Sequence, residues 1–179
     1  MERREIAPLE MAGHIMEKLP DGVLLNSLAN GRFNSMVIAW GHLGVEWGKP
    51  IFVCYVREGR FTRPLIDEAG AFTVSIPTER LSPEVLRICG ANSGRDIDKV
   101  AEAGLTLVDA QANGVPAVAE APITLECKVA YRCPQDLSLM PEDVLARFYP
   151  QDVPSDSCGS NRDTHVAFYG EIVASYVLE

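Results

Sequence analysis

Ile123-Thr124-Leu125-Glu126-Cys127-Lys128-Val129-Ala130-Tyr131 is the stretch whose reading sets the fold class. Ile123, Leu125, Cys127 and Val129 alternate with Thr124, Glu126 and Lys128, a period of two that puts the two sets on opposite faces of a β-strand. Outward from it, more segments read as strand. Gly22 to Leu28 and Asn34 to Gly41 flank Ala29-Asn30-Gly31, where Asn-Gly is the strongest short-range hairpin signal. Met36, Ile38 and Trp40 share one face of the second segment. The small face of Ser35, Val37 and Ala39 leaves room for something to lie close against that backbone, although a plain half-buried strand has the same pattern and is commoner. Pro50 opens Ile51 to Val56, apolar almost throughout and suited to burial on both faces. Phe72 to Ile76 is a further strand, and His165 to Leu178 a final strand or strand pair.

Helices fall only in the connections. Thr62 caps a short helix through Glu68, with Pro64 in its first turn and Gly70 at its end. Ser82-Pro83 starts a second that runs to about Ile88. A third spans Asp96 to Ala103 and stops at Gly104. Leu105 to Val118 reads as loop. Cys133 to Arg162 is rich in Pro, Asp and Ser, with one short helix near Pro141 to Phe148. Its centre, 134–161, reads as an inserted arm or lid, or equally as a surface excursion without function. About six strands with helices only between them indicate a mainly β chain and a closed antiparallel barrel. A doubly wound dinucleotide fold is disfavoured, because regular strand–helix alternation and a Gly-x-Gly-x-x-Gly after the first strand are both missing.

Composition narrows the function. A chain of 179 residues fits one domain spanning 1–179. A net charge of −9 with no basic stretch argues against a nucleic-acid partner, since phosphate backbones need a basic face. Met1-Glu2-Arg3-Arg4-Glu5 is charged and no apolar h-region follows, so no signal peptide is expected; no apolar run has membrane-spanning length. Five cysteines, an odd number without a Cys-x-x-Cys pair, fit neither a disulfide framework nor a zinc site. His14, His42 and His165 are too scattered to form a metal motif. Reduced thiols and a cytoplasmic address fit these features.

One segment speaks of chemistry. Cys89-Gly90-Ala91-Asn92-Ser93-Gly94-Arg95-Asp96-Ile97-Asp98-Lys99 combines a glycine-bearing turn, a helix start and two cations spaced i,i+4 on one helical face. Ser93, Arg95 and Lys99 there suit a phosphate: free N–H groups and the helix dipole favour an anion, Arg forks two oxygens and Lys adds a point charge. Ser93-x-x-Asp96 is also an ordinary capping box, which taken alone is the commoner meaning.

The order of several segments resembles the flavin reductase-like family. They are Asn34-Ser35-Met36-Val37-Ile38-Ala39-Trp40, Arg57 with Arg60-Phe61-Thr62, Phe72-Thr73-Val74, Cys89-Gly90 with Ser93-Gly94-Arg95-Asp96-x-Asp98-Lys99, Leu125-Glu126-Cys127-Lys128-Val129, and His165 with Gly170-Glu171-Ile172-Val173. The resemblance covers roughly Pro20 to the C-terminus. It implies an FMN-binding split barrel, a homodimer and one FMN per subunit. On it, Asn34 to Trp40 would run along the isoalloxazine edge. Arg57, Arg60 and Thr62 would approach the ribityl phosphate, and Ser93, Gly94, Arg95 and Lys99 would complete the phosphate site. His165 matches a family histidine near the open flavin face, a position for nicotinamide or substrate contact, although a lone strand-start His is more often structural. Phe61-Thr62 replaces the family's usual Tyr-Ser. The implied function is an NAD(P)H-dependent flavin reductase or oxidoreductase. The alternative is a flavoredoxin-like electron carrier that exchanges electrons with a protein partner and has no nicotinamide activity of its own. FAD stays open because the phosphate motif reads only part of the cofactor. No side chain is assigned as catalytic, since hydride transfer to a flavin needs no protein acid or base.

Overall fold

A computed structural model describes residues 1–179. In chain order its elements are β1 (Arg3–Glu5), α1 (Ala12–Lys18), β2 (Val23–Ala29), β3 (Arg32–Ile38), β4 (Gly41–Glu46), β5 (Lys49–Arg57), α2 (Thr62–Ala69), β6 (Ala71–Ile76), α3 (Pro83–Ala91), α4 (Lys99–Ala103), β7 (Leu107–Val108), β8 (Ala117–Val118), β9 (Ile123–Pro134), α5 (Glu142–Phe148) and β10 (His165–Leu178). Eight strands form one antiparallel sheet in the order β3-β2-β6-β9-β10-β5-β4, with β1 added on β10. β7 and β8 pair separately.

The mainly β reading holds, and one detail of it changes. The ladder runs from β3 round to β4 and stops there. These two strands are consecutive in the chain, joined by Ala39-Trp40, yet they are the opposite edges of the sheet. The barrel is therefore split along β3 and β4 rather than closed, the form that the family resemblance implies. Its interior is apolar, with Leu25, Ile38, Phe52, Phe72, Val74, Leu125 and Phe168 all buried. A second, smaller core of Leu24, Val85, Cys89, Leu105 and Val118 fixes α3 and α4 against β2 and β3. That packing brings the C-terminal end of α3 and the turn after it to the split edge.

Local sequence explains the main bends. Asn30 and Gly31, at φ 51° and 71°, make the two-residue hairpin that Asn-Gly encodes. The final segment is one strand, not a pair: β10 bonds to both β9 and β5 and absorbs its curvature in two register shifts against β9. Gly170 lies at the first shift, where any Cβ would run into the Phe72 ring. α1, β1 and β4 carry no alternating apolar signal. β4 is mostly exposed and is held by a second two-residue hairpin at Trp47-Gly48, φ 53° and 70°.

The polar face of the opening strand is buried as well. Glu126 accepts hydrogen bonds from the N–H groups of Gln111, Ala112 and Asn113 and from the Tyr176 hydroxyl. The loop between β7 and β8 thus covers what the alternation alone would expose to water. No helix is long and apolar enough to cross a membrane.

Candidate functional site

Two clefts meet along β3 at the split edge. One, about 350 Å³, holds Asn34, Arg60, Thr62, Ser93, Arg95 and Lys99 in its wall. The other, about 370 Å³, is lined by Met36 to Trp40, Tyr55, Arg57, Phe148 and His165. Met36, Arg60 and Gly90 belong to both, so they form one groove with a polar, cationic end and a largely apolar, aromatic end.

At the cationic end the local structure differs from the sequence expectation. The helix begins at Lys99, not Asp96, and Asp98 caps it by accepting from the N–H groups of Val100 and Ala101 at 2.9 and 3.2 Å. Ser93 and Asp96 form no capping box. Ser93 closes a turn instead: its Oγ accepts from Arg95 N at 3.2 Å, and its carbonyl accepts from Asp96 N at 3.1 Å. The Asp98 carboxylate, one residue before the helix, is the better-placed acceptor, so it takes the cap. Arg95 and Lys99 do not share a helical face, but the turn brings both to the same cleft. Likewise Thr62 is the first residue of α2 rather than its cap. Phe61 occupies the cap position and makes no side-chain bond there.

Three side chains tie this end together. Asn34 Nδ2 donates to Thr62 Oγ1 at 2.7 Å, while Asn34 Oδ1 is buried without a partner. Gly94 packs directly on that amide, and any Cβ there would collide with Oδ1. Lys99 is 5% exposed and donates from Nζ to the carbonyls of Ser35 and Cys89, both at 3.0 Å. Burial pulls its pKa down to about 8. An ammonium carries three donors, so one is left for the groove. Arg95 donates to Gly59 O at 3.0 Å and lies over the Phe61 ring. Ser35 does not line the groove: its Oγ donates to Asn26 Oδ1 at 2.8 Å beneath the strand, and only its carbonyl serves the site.

The aromatic end is built from the link between β3 and β4 and from the arm. Val37, Ile38 and Ala39 lead to Trp40, whose ring meets Phe148 edge-on at 5.2 Å and His165 at 5.1 Å. His165, 7% exposed, shares a 2.8 Å hydrogen bond between Nδ1 and the Tyr149 hydroxyl. That hydroxyl also donates to Gln135 Oε1 at 2.9 Å. With its one proton spent there, the hydroxyl accepts from Nδ1–H, and Nε2 carries the lone pair. Burial, then the nearby Arg57 and Arg60, push the His165 pKa down to about 3, so the ring is neutral near pH 7.

Arg57 stands apart from its expected place at a phosphate. It is 6% exposed and donates to the carbonyls of Asp163 (2.6 Å), Phe148 (2.8 Å) and Asn161 (3.3 Å), with Tyr149 against its face. It stitches the arm to β5. Arg60 donates to Ser157 O at 3.2 Å, and Asp163 accepts from Gly59 N at 2.9 Å, fixing the same arm from the other side. The arm thereby places Ser155 and Asp156 at the cationic end and Cys158, Gly159 and Ser160 at the aromatic end. Sequence reasoning missed these residues, along with Tyr55, Phe61 and Phe148. Only Phe61 stood inside a recognised motif.

None of the chain's ion pairs includes Arg57, Arg60, Arg95 or Lys99. Four cations outside any ion pair converge on one groove, whose wall also carries the Asp96 and Asp156 carboxylates, in a chain with net charge −9. Two of them, Arg60 and Arg95, hold donors free for an anion beside the spare donor of Lys99.

Comparison with known proteins gives three results. Residues 16–179 match the family described as flavin reductase like domain. The flavoredoxin of Desulfovibrio vulgaris (Miyazaki F) superposes with a TM-score of 0.65 at 26% identity, over 88% of this chain and 69% of that one. An FMN-binding domain of a flavin reductases-like enzyme from Shewanella baltica superposes with a TM-score of 0.61 at 18% identity, over 98% and 77%. In sequence, an uncharacterized protein of Archaeoglobus fulgidus is 36% identical over 74 residues, which span 41% of this chain and 41% of that relative.

Proposed function

The chain belongs to the flavin reductase like domain family, and from that premise we propose that its groove binds FMN and that the protein is an NAD(P)H-dependent flavin reductase or oxidoreductase. The family and its structural neighbours support a flavin-related redox function. The observation that carries the FMN reading is the polarity of the groove: unpaired cations at one end, aromatic and aliphatic side chains at the other. A phosphate and a tricyclic ring have the same division. The unpartnered Asn34 Oδ1 in the groove wall fits a polar ligand there.

Ser93, Thr62, Arg60, Arg95 and Lys99 hold the phosphate in this reading, with charge-assisted bonds from the three cations. Asn34 faces the ribityl chain, and Met36 to Trp40 lie along the ring edge. Bound flavin supplies hydride and single-electron transfer. The chain's own residues orient it and exclude water from one face. Neutral His165 presents a lone pair rather than a charge, and the Tyr149 hydroxyl fixes that tautomer. No side chain is asked to move a proton. Trp40 remains 41% exposed, so the aromatic end is open to a small donor such as NADH or NADPH.

The second reading is an electron carrier of the flavoredoxin kind, and the stitched arm over both ends of the groove favours it by narrowing access. Anaerobic mixing with NADH and NADPH separates the two. Bleaching of the flavin band supports the reductase, and an unbleached flavin supports the carrier. A purified protein that takes up no added FMN would overturn both.

A homodimer belongs to the same proposal. Ile51, Val53, Ala167, Tyr55 and Tyr169 form an apolar cluster apart from the barrel interior, and exposed Trp47 and Tyr131 adjoin it through Tyr169. Light scattering at micromolar concentration tests it. All five cysteines are free, which supports the cytoplasmic address.

A further inference from the structure

Trp40 borders two cavities. Besides the groove, it lines an outer cavity of about 450 Å³, which shares Ala39, Trp40 and Tyr55 with the aromatic end and is closed by Met16, Leu19 and Pro20. A space of this size holds a ring compound. No Asp, Glu, Lys or Arg lines it, so nothing there offsets the desolvation of a charged ligand. Besides the indole, its polar side chains are His42, Tyr55 and Gln135. His42 Nδ1 and the Tyr55 hydroxyl share a 3.1 Å hydrogen bond. Gln135 Oε1 already accepts from Tyr149 at 2.9 Å, which leaves both hydrogens of Nε2 without a partner in the chain. As the amide stands, this wall has donors to give.

Gln135 also ends a chain that runs back into the groove. Tyr149 is buried and lines neither cavity, and its hydroxyl bonds to Gln135 on one side and to His165 Nδ1, at 2.8 Å, on the other. One hydroxyl proton serves only one of these bonds. While it goes to Gln135 Oε1, His165 keeps its hydrogen on Nδ1 and a lone pair on Nε2. With the amide turned over, the Gln135 nitrogen donates to the tyrosine oxygen, the tyrosine proton goes to Nδ1, and His165 carries its hydrogen on Nε2. No heavy atom outside the amide has to move. We propose that the outer cavity is a second small-molecule site, for an uncharged ring compound with a carbonyl-type acceptor, and that its occupant sets whether His165 accepts or donates in the groove. An acceptor at Gln135 holds the amide as it stands, so His165 faces the groove with a lone pair. A donor there favours the turned amide, and His165 then faces the groove with an N–H.

The site regulates the groove, and it rests on the flavin reading for what the groove holds; the tautomer does not, and it is measured without flavin. The experiment is nitrogen NMR of protein with isotope-labelled histidines. His42 lines the cavity and His165 the groove, so the two rings report the two places separately. Acetophenone, an acceptor without a donor, should move the His42 signals, leave His165 as its Nδ1–H tautomer and bind with or without FMN. Indole, a donor without an acceptor, should bind about fivefold more weakly, the scale of one hydrogen bond, and move His165 toward the Nε2–H tautomer. Gln135→Glu can only accept, so it should keep the Nδ1–H tautomer and lose about fivefold in acetophenone affinity. Gln135→Leu should give the Nε2–H tautomer. Both variants keep the backbone bonds of residue 135 to His165 and Thr164, so the end of β9 stays in place. Acetophenone that FMN displaces, or that moves His165 without His42, belongs to the groove and overturns the second site, as does its failure to bind at millimolar concentration. A tautomer unchanged in Gln135→Leu overturns the link between the cavities. Failure of FMN to bind overturns the flavin reading and leaves the NMR result standing.

Discussion

The two ends of the groove lie along the same strand and handle charge in opposite ways. At the cationic end, buried Lys99 keeps an ammonium by giving two of its donors to backbone carbonyls. At the aromatic end, buried His165 gives up its charge, under burial and the push of Arg57 and Arg60. The difference lies in acceptors: carbonyls face Lys99, whereas a hydroxyl and aromatic rings face His165. A positive pocket, completed by Lys99 of α4, and a neutral one, completed by His165 of β10, therefore lie side by side along β3.

The change with the largest expected effect breaks both ends together. Arg57→Ala leaves three arm carbonyls without their donor and should cost about 3–5 kcal/mol of stability, read by urea denaturation. Proteolysis between 149 and 161 should accelerate in the same variant. A nick-resistant arm would show that Arg57 is not its anchor.

Arg95→Ala should separate the ends. FMN affinity should fall by about 1.5–3 kcal/mol, the scale of a charge-assisted hydrogen bond, while affinity for riboflavin, which has no phosphate, stays level. Equal losses for the two would mean that Arg95 does not face the phosphate.

pH should distinguish the ends next, with opposite limbs. The folded-state pKa of His165, about 3, lies below its ordinary 6.5, so the unfolded chain binds more protons between those values. Stability is lost as pH falls through that window, by up to about 1.4 kcal/mol per pH unit. His165→Gln should flatten this acid limb in thermal melts. Lys99, at about 8 against an ordinary 10.5, makes the unfolded chain the greater proton binder between those values, so its contribution to stability rises with pH there. FMN affinity should move the other way and decline above about pH 8 as the ammonium is lost, with riboflavin unaffected. A level FMN profile up to pH 9.5 would remove Lys99 from the phosphate site.

Trp40→Ala is the smallest and acts on the aromatic end alone. It should weaken FMN and riboflavin alike by about 1 kcal/mol. A loss confined to FMN would reverse the assignment of the ends.

Much of this was legible in the chain. The Asn30-Gly31 hairpin, the alternation from Ile123 and the Ser82-Pro83 helix start are local signals, and each formed where its chemistry required. Ser93, Arg95 and Lys99 of the Cys89 to Lys99 motif do line one cleft, but the helix starts at Lys99, three residues later than the motif suggests, because Ser93 and Asp98 both make plausible caps in sequence. β4 was invisible because an exposed edge strand has no apolar period to display. The arm's share of the groove, and the diversion of Arg57 from phosphate to arm, rest on partners 91 to 106 residues away.

The sequence by itself determined the long buried strands, the Asn30-Gly31 turn and the flavin reductase like family, because hydrophobic period and turn chemistry act over a few residues. Only the tertiary structure decided where the barrel splits, which cations stay unpaired, that His165 is held neutral and which arm residues reach the groove. Those outcomes depend on desolvation and on acceptors brought together from distant strands, and neither is encoded at the position it acts on.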